Sequence, residues 1–175
     1  AKLLLSKGWA AEVNNEYELA TECFQTISDY FSPDLFPFEV MMAIKHNGIV
    51  QYDRTNVEEA LRHYDHCIDI AERLGHDKTL LQLKMNTAVA LRELGKHKQV
   101  IAMSEACLIK AREMGFKRTE MNIINTLAIA NQNLGKTEIA LNLYRTGLAL
   151  SEKVGDNRSL SNFLFNLGTI YQGIR

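Results

Sequence analysis

One spacing governs how this chain can fold: residues of like character recur every forty positions. The run "LRELGK" at 91–96 returns as "NQNLGK" at 131–136, and "AERLG" at 71–75 returns as "AREMG" at 111–115 and "SEKVG" at 151–155. Gly8, Gly48, Ala88, Ala128 and Gly168 form a small-residue series at the same interval. Ala20, Ala60, Val100 and Ala140 form a second, and Phe24, Tyr64, Ser104 and Tyr144 a third. A fixed period of this length marks an array of supersecondary units. Each unit cannot bury its apolar face alone and must stack on its neighbours.

The content of each unit follows from the apolar spacing within it. Leu80, Leu83, Ala88, Leu91 and Leu94 recur at helical intervals, and 97–114 behaves likewise. Gly95 and Gly135 punctuate the first helix of their units, and Gly75, Gly115 and Gly155 the second, where a left-handed C-cap is wanted. The joins "GHDKT", "GFKRT" and "GDNRS" end in Thr79, Thr119 and Ser159, which read as N-caps; Thr79 with Gln82 reads as a capping box. About nine helices are predicted, over 2–14, 16–31, 38–53, 57–74, 78–94, 97–114, 118–134, 137–154 and 158–174. The two prolines, Pro33 and Pro37, fall together in the one irregular join, 32–37, and leave the rest free for uninterrupted helix. Short joins make neighbouring helices antiparallel. The expected fold is all-α, a solenoid of antiparallel helix pairs with units at about 1–36, 37–76, 77–116 and 117–156 and a half unit at 157–175. An amphipathic terminal helix without a partner predicts that the chain is a fragment of a larger protein.

Composition removes several classes of function. A net charge of −1 gives no basic excess for nucleic acid. No apolar run approaches the ~20 residues that span a bilayer, and the segment 1–13 lacks a signal-peptide plan. Three cysteines, an odd number, make no disulfide framework, so a reducing, cytoplasmic setting is expected. There is no nucleophile elbow, phosphate loop or metalloprotease helix, so neither catalysis nor a cofactor is expected in this region.

Together these series resemble the tetratricopeptide repeat (TPR) family. That family places a small residue near position 8 of each unit, Ala near 20, an aromatic near 24 and a small residue near 27. Here the last series is Ile27, Cys67, Cys107 and Gly147; Val100 and Ser104 depart from the pattern. The usual TPR period is about 34 residues, and forty overlaps the HEAT and armadillo periods; the order small, Ala, aromatic favours TPR. The resemblance implies a right-handed superhelix with the first helix of each unit on the concave side. Longer units of this kind are similar to those in bacterial signalling proteins, where arrays regulate transcription-factor, histidine-kinase or diguanylate-cyclase domains, and to peptide-pheromone receptors.

Carried onto these positions, the resemblance implies a partner-binding groove containing Lys45, Tyr52, Gln82, Met85, Asn86, Asn122, Asn125, Ile129, Asn162, Phe165 and Asn166. The C-terminal half of the set is rich in carboxamides, each offering a donor and an acceptor to the backbone of an extended peptide. Asparagine is a poor helix former, so its repeated use inside helices calls for a reason; a solvated polar face is the alternative. Trp9 reads as a cap on the end of the solenoid, with anchoring of a partner side chain as the alternative. Lys78, Arg118 and Arg158, one per join, read as ties between neighbouring loops or as solvated cations.

The leading reading is a protein- or peptide-binding module, the sensory or scaffolding part of a bacterial regulator. A second is an oligomerisation module, giving a homodimer through 158–174. The stretch "HYDHC" at 63–67 places His63, His66 and Cys67 at i, i+3 and i+4, a spacing that would admit a metal. Repeat register instead makes Tyr64 the interhelical aromatic and Cys67 a packing residue, and no other unit keeps a ligand there.

Overall fold

The computed structural model describes residues 1–173. Among them lie nine helices: α1 (Lys2–Val13), α2 (Tyr17–Tyr30), α3 (Pro37–Asp53), α4 (Val57–Arg73), α5 (Asp77–Glu93), α6 (His97–Glu113), α7 (Lys117–Asn133), α8 (Thr137–Val154) and α9 (Asn157–Gly173). Each bound lies within one residue of the expectation from sequence, and residue 174 of the last expected helix lies outside the described residues. No strand occurs among the described residues.

The forty-residue period resolves into two halves of twenty. From α3 onward the helices begin at 37, 57, 77, 97, 117, 137 and 157, each about 17 residues long and separated from the next by two or three residues. Every such join turns on one left-handed residue: Gly75, Gly95, Gly115, Gly135 and Gly155 have φ between 61° and 73°, and Asn15 (φ 61°) and Thr55 (φ 65°) take the same role earlier. In each case the amide of the residue after the left-handed one bonds back five residues, as in His76 to Ala71 (2.9 Å), Phe116 to Ala111 (2.9 Å) and Asp156 to Ser151 (3.0 Å). This is the Schellman closure, which satisfies carbonyls that the helix leaves open.

The same closure corrects the N-cap expectation. It consumes the join, so the next helix starts two residues after the glycine. Thr79, Thr119 and Ser159 therefore lie inside the first turn, and the Thr79–Gln82 capping box does not form. The cap positions before α6, α7 and α8 are Lys96, Phe116 and Lys136, with no side-chain cap bond. Asp156 is the exception: its Oδ1 accepts from the Ser159 amide at 3.2 Å.

The chain forms two compact units, residues 1–90 and residues 91 onward, divided within α5. In the first, α1–α2, α2–α3 and α3–α4 pack as sequential pairs, and α1 also touches α3. Its core joins Leu5, Ala20, Phe24, Ile27, Met41, Ile44, Ala60, Tyr64 and Cys67. In the second, α6–α7, α7–α8 and α8–α9 pack, and α7 touches α9, around Met121, Ile124, Ala128, Tyr144, Phe163 and Ile170.

The small-residue series has a steric cause. A Cβ on Gly8 would lie 2.5 Å from the Phe24 ring, and one on Gly48 2.7 Å from the Tyr64 ring. Phe24, Tyr64 and Tyr144 are essentially sealed from solvent, each contributing roughly 2–3 kcal/mol by burial. At position 27 the constraint comes from the following helix: a Cβ on Gly147 would lie 2.2 Å from Phe163.

Candidate functional site

The expected contact residues sit on the first helices of the pairs, five in one unit and six in the other. In the first unit, Lys45 and Met85 are buried, at 8% and 9% exposure, so only their outer atoms are within reach of a bound segment. Burial holds the Lys45 amine below its ordinary pKa. Tyr52 and Asn86 are half-buried and Gln82 is exposed. Tyr52 and Asn86 come together in a shallow hollow of about 180 Å³, completed by Ile49, Tyr64 and Val89. An aliphatic side chain fits such a hollow, with the Asn86 carboxamide at its edge.

Beside it lies a polar contact that periodicity could not reveal. His46 Nδ1 and Glu12 Oε2 are 2.7 Å apart, with both side chains 17% exposed. The rings of Trp9 and Phe24 pack on His46 at centroid distances of 5.5 and 5.7 Å. Trp9 thus has a packing role within the first unit. Asp53 has its pKa raised by burial and by Glu12.

In the second unit the carboxamides divide into two groups. Asn166 Nδ2 donates to Asn125 Oδ1 at 2.8 Å, tying α9 to α7. That bond leaves the Asn125 amide and the Asn166 carbonyl available. Asn122 and Asn162, one turn earlier on the same two helices, are exposed. Gln132, further along the same helix as Asn122 and Asn125, accepts the Tyr144 hydroxyl at 3.0 Å and so supports the interhelical aromatic. Ile129 is half-buried, and Phe165 is 71% exposed.

The basic series behaves as a set of individuals. Arg118 reaches Asp156 in the following join at 3.3 Å, as a tie between loops would, while Lys78 and Arg158 are exposed. A stronger ionic group, unmarked in the sequence, closes the α6–α7 turn. The Glu120 side chain, 8% exposed, takes Arg112 Nε at 2.8 Å and Lys117 Nζ at 2.9 Å. Burial would raise the Glu120 pKa, but these two cations outweigh it and hold the carboxyl below its ordinary value.

The "HYDHC" stretch separates across the helix. Cys67 is fully buried; its thiol donates to the Met41 carbonyl at 3.2 Å, and burial pushes its pKa up to about 12. His63 lies 3.5 Å from Glu59 and has its pKa lowered by burial, whereas His66 is exposed. Among the described residues no three His, Cys, Asp or Glu side chains gather as a metal-ligand group, and no helix is long and apolar enough to cross a membrane.

These features define an all-α, TPR-type repeat fold with polar first-helix faces. Solved structures share it. The chain superposes on aspartyl phosphate phosphatase F from Bacillus subtilis with a TM-score of 0.82 at 14% identity, covering 98% of this chain and 47% of that one. A Rap protein complexed with Competence and Sporulation Factor gives 0.77 at 15% identity, with 96% and 47% coverage. A putative kinesin light chain from Podosopora anserina, with nearly identical TPR-like repeats, gives 0.78 at 13%, with 98% and 84% coverage. The chain thus spans about half the length of the first two. No family model matches the sequence, and no curated protein matches it.

Proposed function

We propose that this chain is a protein- or peptide-binding module in which the first-helix faces hold an extended segment. The observation that carries the reading is the pair Asn122 and Asn162. Both are exposed, both are poor helix formers kept inside a helix, and both lie one turn from the Asn125–Asn166 bond. An extended backbone alternates donors and acceptors, and a carboxamide answers both. In the first unit, the hollow at Ile49, Tyr52 and Val89 with Asn86 offers the same combination of apolar seat and carboxamide edge. Its setting is the cytoplasm, as the sensory or scaffolding region of a bacterial signalling or transcription regulator. One support is the shared fold with a Rap protein whose structure contains Competence and Sporulation Factor.

The test is selection of random linear peptides by phage display on the immobilised chain, with binding of the recovered peptides measured by calorimetry. Two neutral hydrogen bonds at about 1 kcal/mol each correspond to roughly thirtyfold in affinity. Asn122→Ala with Asn162→Ala should weaken binding by about that factor while the helical circular dichroism is retained. Failure to enrich any peptide, or unchanged affinity in the double variant, defeats the reading.

A further inference from the structure

We propose, building on the segment-binding reading above, that the first unit selects a basic side chain of the bound segment. Its aliphatic stem lies in the hollow beside Tyr52, and its charged head meets Asp53 and Glu12. The hollow holds about 180 Å³ between Ile49, Tyr52, Tyr64, Asn86 and Val89. Two aliphatic walls and two aromatic rings suit a stem of methylene groups. Arginine and lysine bury such a stem while keeping the charged head in a polar setting. The face of a tyrosine ring also attracts a cation. The Asn86 carboxamide, at the edge of the hollow, offers its carbonyl to an N–H of the head.

Charge complementarity decides the occupant. Glu12 and Asp53 stand at the C-terminal ends of α1 and α3, two first helices that touch. Helix carbonyls add a negative field at such ends. Both carboxylates act on one group of the hollow: burial first, then the charges of Asp53 and Glu12, push the Tyr64 hydroxyl above its ordinary pKa. Asp53 makes no ion pair among the described residues. Its neighbour Arg54 reaches Glu18 of α2 instead, at 3.5 Å, and His46 is engaged with Glu12. Lys45 is buried about 12 Å back along α3, at 1.5 Å per residue. Burial and the Glu12 charge both oppose the ionisation of Asp53. A bound cation relieves that opposition, which gives the carboxylate a reason to stand there. The second unit carries the opposite sign at the same register. Arg92 takes the place of Glu12, and its charge acts on Tyr144, while Asn133 takes the place of Asp53. A basic side chain is therefore favoured in the first unit and disfavoured at the matching place in the second. The carboxamides of the second unit serve the backbone of the segment, and the hollow of the first reads one of its side chains.

The probes are peptides recovered by phage display on the immobilised chain and made synthetically. They should share one position held by arginine or lysine. Exposed ion pairs reach about fivefold in affinity, and two carboxylates face the head here, so norleucine at that position should weaken binding about tenfold. Raising the salt to about 0.5 M should weaken the parent peptide and leave the norleucine peptide unchanged. Asp53→Asn should weaken the parent peptide about fivefold and leave the norleucine peptide within about twofold. Asp53 is exposed and unpaired, so the helical signal and the urea midpoint should be retained in this variant. Asp65→Asn, on an exposed position of α4, should change neither affinity. Three outcomes would overturn the basic side-chain selection while leaving segment binding intact. One is a set of binding peptides with no shared basic position. A second is Asp53→Asn weakening both peptides alike. The third is a basic position whose contribution is indifferent to Asp53→Asn. Recovery of no peptide at all would instead remove segment binding, and the selection with it.

Discussion

Gly147→Ala tests the packing that the repeat encodes. The added methyl would lie 2.2 Å from Phe163 Cζ and 2.4 Å from Cε1, where carbon atoms in contact prefer about 3.5–4.0 Å. Phe163 is 1% exposed, so its ring has no open space to swing into. Overpacking of this kind costs about 1–3 kcal/mol, and the overlap places this case near the top of the range. Replacing glycine by alanine inside a helix returns about 1 kcal/mol. The net expectation is a loss of roughly 2 kcal/mol, or about 4–8 °C in the melting midpoint of a chain this size. The assay is a double-mutant cycle in urea with Phe163→Leu. In the wild-type background Gly147→Ala should destabilise. In the Phe163→Leu background, where the ring edge is gone, it should be neutral or slightly stabilising. An equal cost in both backgrounds would refute a steric origin for the small residue at this position.

Thr55 holds the left-handed conformation that glycine holds in the later joins, so Thr55→Gly should raise the urea midpoint by the equivalent of about 1 kcal/mol, and Gly115→Ala, with open space around it, should lower it by about as much. Glu120 has its folded-state pKa below the unfolded value, so its pair with Arg112 and Lys117 stabilises above roughly pH 4.3 and loses that contribution as pH falls through the folded pKa. Glu120→Gln should therefore cost about 1–2 kcal/mol at pH 7 and flatten the acid limb of a stability–pH curve. Lys45 is buried and makes no ion pair among the described residues, with its folded pKa lowered; its charging opposes folding at neutral pH and ceases to do so as pH rises. Lys45→Met should hold or raise thermal stability by up to about 1 kcal/mol at pH 7, and a marked loss would show that the amine has a partner function in the fold.

The helices were legible because two strong local signals agree: apolar residues at helical spacing, and glycines where the chain must turn left-handed. Joins carrying the same turn on Asn15 and Thr55 gave no such signal, since neither residue advertises a positive φ in the way glycine does. The N-caps were misplaced for a related reason. Thr79, Thr119 and Ser159 have capping chemistry, but the Schellman closure begins the next helix before them. At the candidate site, register placed the contact residues on first helices, yet it could not show that Asn125 and Asn166 bond to each other or that Gln132 serves Tyr144. Nor could it foresee the pairing of Glu12 with His46. Those contacts join residues 12 to 41 apart, and their partners are fixed by side-chain reach rather than by period.

The central claim is that a bound segment lies along the carboxamide face, and side-chain amide NMR tests it most directly. A peptide selected on this chain would be titrated into the ¹⁵N-labelled protein while the NH₂ resonances of Asn122, Asn125, Asn162 and Asn166 are followed. The account predicts that these four shift at saturation, with Asn122 and Asn162 moving most, while the exposed Asn142 on α8 stays fixed. Shifts confined to the second helices, with the four carboxamides unmoved, would contradict it.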